Sequence, residues 1–173
     1  MKYGSYWKWG CGRSVFMQAF AWGSGRHGEL GLGISTLNVF HPTQIETKHK
    51  YRQVHCGWHH SLFVSVDGKV MLTTTEANGV KELLTIKQIS VGWHHCVCIT
   101  LENEVLSWGK GSHGQLGIGL DDNVSTPTSV LLDSVEHTTI SGVACGSEHT
   151  LLLTCEGNVY SCGWGEHGNL GQL

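Results

Sequence analysis

The sequence predicts an all-β protein built from repeated small antiparallel sheets, and three observations support this prediction. Glycine supplies 24 of the 173 residues and proline only 2, a composition typical of many tight turns. A glycine-rich phrase of ten residues occurs three times, and a second phrase, Gly-x-x-His followed by an apolar run, also occurs three times. Such repetition is typical of proteins that stack one structural unit several times.

The glycine-rich phrase keeps four glycines, one histidine and one leucine at the same places in each copy. Its copies lie at residues 22–31, 108–117 and 162–171. A phosphate-binding glycine loop needs a strand before it and a helix start after it. Here the flanking residues have the pattern of strands on both sides. We therefore interpret these glycines as turn and packing residues.

Each Gly-x-x-His phrase is followed by an apolar run, a two-residue turn and a second apolar run, which predicts a β-hairpin. The predicted hairpins span residues 60–73, 95–108 and 149–162. Gly68 and Gly157 supply the positive φ that such a turn requires. Asn103 stands at this place in the second hairpin, because asparagine tolerates the left-handed conformation better than most residues.

Two further strands are predicted in the repeat. One precedes each Gly-x-x-His phrase and ends near residues 53–54, 88–91 or 140–144. The other contains Pro42 or Pro127 and is predicted to be an outer edge strand, where a missing N–H costs no ladder hydrogen bond. Residues 71–79 stand where a glycine-rich phrase would follow the first hairpin, so we expect one repeat to lack that loop.

Together these residues resemble the repeat of the regulator-of-chromosome-condensation family, whose signature combines Gly-x-x-His and an apolar run with Trp-Gly-x-Gly-x-x-Gly-Gln-Leu-Gly. The resemblance covers residues 19–173 and implies blades of a β-propeller that has seven four-stranded blades when complete. Three to four repeats cannot close such a ring, so we expect a partial propeller and a fragment of a longer protein. Residues 1–18 match no part of the repeat and are predicted to form a separate N-terminal segment.

Composition argues against several classes of partner. Charged residues make up 14% of the chain and the formal net charge is −3, so no broad basic surface is expected for nucleic acid or anionic lipid. No apolar run reaches the roughly 18 residues of a transmembrane helix. The seven cysteines lack paired spacing and are interpreted as free thiols. We expect a cytoplasmic or nuclear protein, or both, that binds neither nucleic acid nor membranes directly.

Histidine and cysteine are abundant enough to suggest a metal site. Two groups combine them: Cys56, His59 and His60, and then His94, His95, Cys96 and Cys98. A tetrahedral zinc site draws separated ligand pairs from two elements, whereas most of these histidines recur at fixed repeat positions. We therefore predict structural roles, with no metal and no cofactor.

Two repeat positions are always histidine. One holds His60, His95 and His149, and the other holds His27, His113 and His167. We expect the imidazole of each Gly-x-x-His phrase to be buried and to bridge the backbones of neighbouring blades through both ring nitrogens, because a buried polar ring needs partners. Neither a Gly-x-Ser-x-Gly elbow nor paired carboxylates occur. The sequence thus predicts no catalytic residue and no enzyme.

The residues that differ between copies of the repeat are the candidates for partner binding, since loops on a rigid scaffold hold most binding residues. These candidates are Trp58, His59, Trp93, His94, Glu148, Trp164 and Glu166. Large aromatic side chains on such loops are typical of binding hot spots. Aromatic packing between adjacent loops is an equal alternative at this stage.

The leading hypothesis is a non-catalytic protein–protein interaction module. A first alternative, implied by the family resemblance, is a guanine-nucleotide exchange factor for a small GTPase of the Ran type, although no repeat contains a long insertion. A second is an accessory protein of diphthamide and tRNA wobble-uridine modification with a zinc-ribbon partner, because residues 146–149 and 163–169 resemble the last repeat of a small fungal family member. A substrate-recognition propeller of a ubiquitin ligase is a further alternative.

Overall fold

The computed structural model describes residues 18–33, 36–46, 49–73, 80–131 and 139–171. Twelve β-strands account for the regular structure of these residues, which confirms the predicted all-β fold. Within the same ranges, no helix is long and apolar enough to cross a membrane. The chain divides into two compact units, residues 1–84 and 85–173.

The first unit contains two antiparallel sheets. Its strands are β1 (Phe20–Gly25), β2 (Thr36–Gln44), β3 (Tyr51–Cys56), β4 (Ser61–Ser65) and β5 (Lys69–Thr73). Strand β1 pairs with β2, and β4 pairs with both β3 and β5. Their shared core contains Ile45, Tyr51, Phe63 and Met71, all nearly excluded from solvent. Packing these side chains between the sheets removes apolar surface from water and stabilises the unit.

The second unit contains a four-stranded meander and a three-stranded sheet. Its strands are β6 (Val80–Val91), β7 (His95–Thr100), β8 (Val105–Gly109), β9 (Val124–Ser129), β10 (Ile140–Cys145), β11 (His149–Thr154) and β12 (Val159–Gly163). Strand β6 starts before the unit boundary and pairs with β7 from Ile86 onward. The two sheets enclose a core of Val97, Ile99, Val143 and Leu152, with further apolar residues around it.

The three predicted hairpins are confirmed as β4–β5, β7–β8 and β11–β12. Their turn residues have the expected positive φ, namely 86° at Gly68, 68° at Asn103 and 88° at Gly157. Both prolines lie where they were predicted, Pro42 in β2 and Pro127 in β9, and β9 ends the order of its sheet. Residues 1–17 and 74–79, which include most of the predicted N-terminal segment and the predicted loop deletion, lie outside the described residues.

Candidate partner-binding loops

A tight loop precedes each hairpin, and its glycine and histidine make two contacts, a backbone hydrogen bond and the packing of the imidazole ring against the glycine. The glycine N–H donates to the histidine carbonyl at 2.9 Å in Gly57–His60, 2.8 Å in Gly92–His95 and 2.9 Å in Gly146–His149. The imidazole ring lies against the glycine, so that an added Cβ would meet ring atom Cε1 at 2.0–2.3 Å. Only glycine leaves room for the ring, which is the physical reason for the Gly-x-x-His pattern.

His95 fulfils the burial prediction, and its hydrogen bond corrects the expected partner. The ring is fully buried, and Nε2 lies 3.0 Å from the Thr150 hydroxyl. That hydroxyl donates to the Gln115 carbonyl at 2.8 Å, so it accepts from the His95 Nε2–H. The expected direct hydrogen bond from Nε2 to the backbone of a neighbouring blade is therefore wrong. The Thr150 side chain of β11 lies between the His95 ring and the Gln115 carbonyl.

The burial prediction is wrong for His60 and His149, whose side chains are half-buried. In the second unit, Thr150 of β11 covers the His95 ring. The rings of His27, His113 and His167 are exposed, so that repeat position is not a buried structural one either.

Glycine-rich loops meet Gly-x-x-His loops at two places with the same backbone geometry. We call the contact of residues 22–31 with 56–61 the first seam, and that of residues 108–117 with 145–150 the second seam. In the first, the Ser61 hydroxyl donates to the Glu29 carbonyl at 2.8 Å. In the second, Thr150 donates to the Gln115 carbonyl at the same distance, 2.8 Å. The repeat therefore places equivalent positions of the two seams in equivalent surroundings.

The second seam contains an ion pair that the sequence did not reveal. Lys110 Nζ donates to Glu148 Oε1 at 2.8 Å, and His113 Nδ1 lies 3.8 Å from the same oxygen. The hydrogen bond from the Lys110 ammonium lowers the pKa of the Glu148 carboxyl below its ordinary value. Glu148 was a predicted site residue, and the structure places it half-buried beside a cation.

The first seam brings together a different set of side chains. His27, Glu29 and His59 each offer a ligand atom, and these atoms all lie within 4.8 Å of one another. The rings of His27 and His59 have centroids 4.0 Å apart at an interplanar angle of 41°. Sequence reasoning grouped His59 with Cys56 and His60 instead, because it considered neighbours along the chain. The contact between the glycine-rich loop and the Gly-x-x-His loop was not predicted from the sequence.

The predicted tryptophans differ in exposure. Trp58 is 56% exposed and Trp93 is 48% exposed, each on the loop before a hairpin. Trp164 is half-buried, its ring meets His167 edge-on at 4.8 Å, and its carbonyl accepts a bond from Asn169 Nδ2 at 2.5 Å. Trp164 is thus packed within its own loop, while each of the other two exposes about half of its surface to solvent.

The remaining predicted site residues are placed differently from one another. His59 is exposed beside Trp58, with ring centroids 5.8 Å apart. His94 is half-buried, and its carbonyl accepts the Lys110 N–H at 2.8 Å. Glu166 is exposed on the last glycine-rich loop. Trp58 and His59 belong to the first unit, whereas the other predicted site residues belong to the second.

The buried thiols lack the properties of ready metal ligands. Burial raises the pKa of the Cys98 thiol to about 12 and that of Cys145 to about 11. The pKa of Cys96 is also raised, mainly by burial. Since a metal binds the thiolate, a raised pKa disfavours metal binding by these cysteines.

Comparisons with known proteins agree with the repeat pattern. Two family models of the regulator of chromosome condensation (RCC1) repeat match the sequence, one at residues 18–64 and 102–153 and the other at residues 86–115 and 140–169. The chain is 34% identical over 157 residues to the ultraviolet-B receptor UVR8 of Arabidopsis thaliana, covering 90% of this chain and 27% of UVR8. It is also 34% identical over 158 residues to human E3 ubiquitin-protein ligase HERC2, covering 89% of this chain and 2% of HERC2.

Solved structures share the fold. Human WBSCR16 superposes with a TM-score of 0.71 at 23% identity, over 90% of this chain and 45% of WBSCR16. Prp20p of Saccharomyces cerevisiae, whose binding to Gsp1p and histones has been studied, superposes with a TM-score of 0.69 at 26% identity, over 85% of this chain and 39% of Prp20p. The chain spans less than half the length of each of these proteins. Because the family models match more than half of its residues, the chain belongs to the RCC1 repeat family and its sheets are blades of a partial β-propeller.

Proposed function

We propose that the chain binds a protein partner through its Gly-x-x-His loops and performs no chemistry of its own. The observation that supports this most directly is the exposure of Trp58 and Trp93, at 56% and 48%. Tryptophan is among the residues most enriched at binding hot spots, because it offers a large contact area with few rotatable bonds. Each exposed ring is therefore a candidate anchor.

The loops that hold these tryptophans are closed by a backbone hydrogen bond and by the packed histidine ring, which favours binding. In the loop of Trp93, the Gly92 N–H is bonded to the His95 carbonyl and the His95 ring fills the space over Gly92. The Trp93 N–H also donates to the Ser147 carbonyl at 3.2 Å. A side chain on a preordered loop loses less conformational entropy when a partner covers it, so more of its contact energy contributes to affinity.

The test is affinity capture from the source cell with the full chain and with the double variant Trp58→Ala/Trp93→Ala. Truncating a hot-spot anchor costs about 2 kcal/mol, or roughly 30-fold in Kd, so we expect specific partners to be lost from the double variant. Quantitative mass spectrometry of the captured proteins measures this loss. The partners it identifies are then titrated against both chains by calorimetry.

The matched control is Phe40→Ala, which removes an aromatic ring that is 83% exposed on edge strand β2 instead of on a Gly-x-x-His loop. The control chain should capture the same proteins as the wild type. Equal capture by the wild type and a folded Trp58→Ala/Trp93→Ala variant would contradict the proposal. Circular dichroism establishes that each variant is folded.

Nucleotide exchange on a small GTPase is a second candidate function. Its support is the likeness to Prp20p, which binds Gsp1p and superposes over 85% of this chain. The family resemblance implies that an exchange factor inserts an interface loop at the nucleotide site, and the repeats of this chain contain no long insertion. We therefore rank exchange below simple binding. The zinc-ribbon hypothesis stays a prediction that depends on residues 146–149 and 163–169.

A further inference from the structure

The first seam brings together three side chains of the types that bind metal ions, from two loops. Ligand atoms of His27, Glu29 and His59 lie within 4.8 Å of one another, and His27 Nδ1 is 4.0 Å from Glu29 Oε1. The histidines come from different repeated phrases, so the ligands converge from two elements, as a metal site requires. We propose that His27, Glu29 and His59 bind a divalent transition-metal ion, with Zn²⁺ as the best fit.

The carboxylate of this site is held in place before any ion binds. Glu29 Oε2 accepts the His27 backbone N–H at 2.7 Å, and the Glu29 side chain is only 14% exposed. The Glu29 carbonyl accepts the Ser61 hydroxyl at 2.8 Å, which ties this loop to the loop of His59. Oxygen Oε1 is thereby directed toward the histidines. Partners of this kind orient metal ligands and raise affinity.

In the second seam, the ammonium group of a lysine occupies the equivalent place in the repeat. There Lys110 donates to Glu148 at 2.8 Å, with His113 3.8 Å from the same carboxylate. In the first seam Ser24 stands at the repeat position of Lys110, and His59 stands at that of Glu148. Glu29 replaces the neutral Gln115. The first seam thus has one carboxylate and two imidazoles. The second has one carboxylate, one imidazole and the ammonium group of Lys110.

The ligand set selects the class of ion. Two imidazoles and one carboxylate suit zinc, with bonds of about 2.0–2.2 Å and a separation between ligand atoms of about 3.4 Å in a tetrahedron. The ligand atoms lie within 4.8 Å of one another, so binding an ion would draw them together by about 1 Å. Because His27 and His59 are exposed, the fourth position of a tetrahedral ion would be open to solvent. Imidazole ligands disfavour Mg²⁺ and Ca²⁺, which prefer oxygen.

The test measures Zn²⁺ binding to the full chain by competition with a chromogenic chelator. We expect one equivalent bound by the wild type, no competition from Mg²⁺ or Ca²⁺, and shifts of the His27 and His59 ring protons in NMR spectra. The decisive variant is Ser24→Lys/Glu29→Gln/His59→Glu, in which the first seam takes the residues of the second. Losing these ligands should weaken Zn²⁺ binding by about 100-fold or more.

Three further variants separate this site from other histidines and cysteines. His113→Ala in the second seam and Cys56→Ser beside the first should both retain the wild-type affinity. His59→Ala removes an exposed ligand and should lose affinity even if the triple variant fails to fold. A wild-type chain that binds no Zn²⁺ overturns the proposal, as does unchanged binding by a folded triple variant or by His59→Ala. Loss of the site in Cys56→Ser but not in His59→Ala would also overturn it.

Discussion

The Gly-x-x-His pairing can be tested by adding one methyl group at Gly92. A Cβ there would lie 2.3 Å from His95 Cε1 and 2.6 Å from the Gly146 carbonyl oxygen, closer than real Cβ contacts. His95 and Thr150 are both almost completely buried, so the ring cannot move away. In the variant Gly92→Ala the blade contact between β7 and β11 must open.

The expected loss follows from two contributions. Overpacking a buried site costs about 1–3 kcal/mol. Breaking the hydrogen bond of 3.0 Å between His95 and Thr150 costs about 1 kcal/mol more. A total near 3 kcal/mol lowers the melting temperature of a chain of this size by about 6–12 °C. Thermal and urea unfolding followed by circular dichroism measure both quantities.

Matched glycines provide the controls. In Gly142→Ala the new Cβ would lie 3.6 Å from Leu153, an ordinary contact, so stability should stay unchanged or rise by up to about 1 kcal/mol. In Gly57→Ala the three nearest atoms all belong to the His60 ring, which is half-buried rather than fully buried. We expect the order of stability Gly142→Ala, Gly57→Ala, Gly92→Ala. If Gly92→Ala unfolds together with Gly142→Ala, the steric account of the motif is wrong.

Thiol reactivity and nucleotide exchange provide two further predictions. Because burial raises the pKa of Cys98 to about 12 and of Cys145 to about 11, iodoacetamide at about pH 8 should leave both unlabelled in the folded chain and label exposed Cys155. Peptide mass spectrometry checks this, and equal labelling of all three would refute it. Catalytic amounts of the chain should leave release of a fluorescent nucleotide from Gsp1p at its intrinsic rate. Release well above that rate would place the exchange hypothesis first.

Much of the fold could be predicted because its signals are local. The two-residue turns are set by residues within the hairpin itself, and even the positive φ of 68° at Asn103 followed from the residue type. Proline positions indicated the outer strands for the same reason, since a missing N–H acts on its own strand. Contacts between neighbouring repeated phrases are not local in sequence, and the sequence patterns did not predict them.

Burial and site composition depend on contacts between repeats. His60 and His95 have the same sequence neighbours, Gly-Trp-His before them, yet only His95 is fully buried, because Thr150 and its sheet cover it. Trp164 was predicted as an exposed anchor, but His167 and Asn169 of its own loop contact it. The pattern of a single phrase contains no information about Thr150, which covers His95 from another hairpin.

The seams explain how one fold can hold different chemistry at equivalent places. The hydrogen bonds that join the loops use the carbonyl oxygens of Glu29 and Gln115, which every residue possesses, together with a hydroxyl from Ser61 or Thr150. The loop geometry therefore does not depend on whether the side chain is a carboxylate or an amide. Side chains on the loop rim can vary while the blades keep their packing, because the stabilising contacts lie beneath them. This separation makes substitution between the seams a test of chemistry rather than of folding.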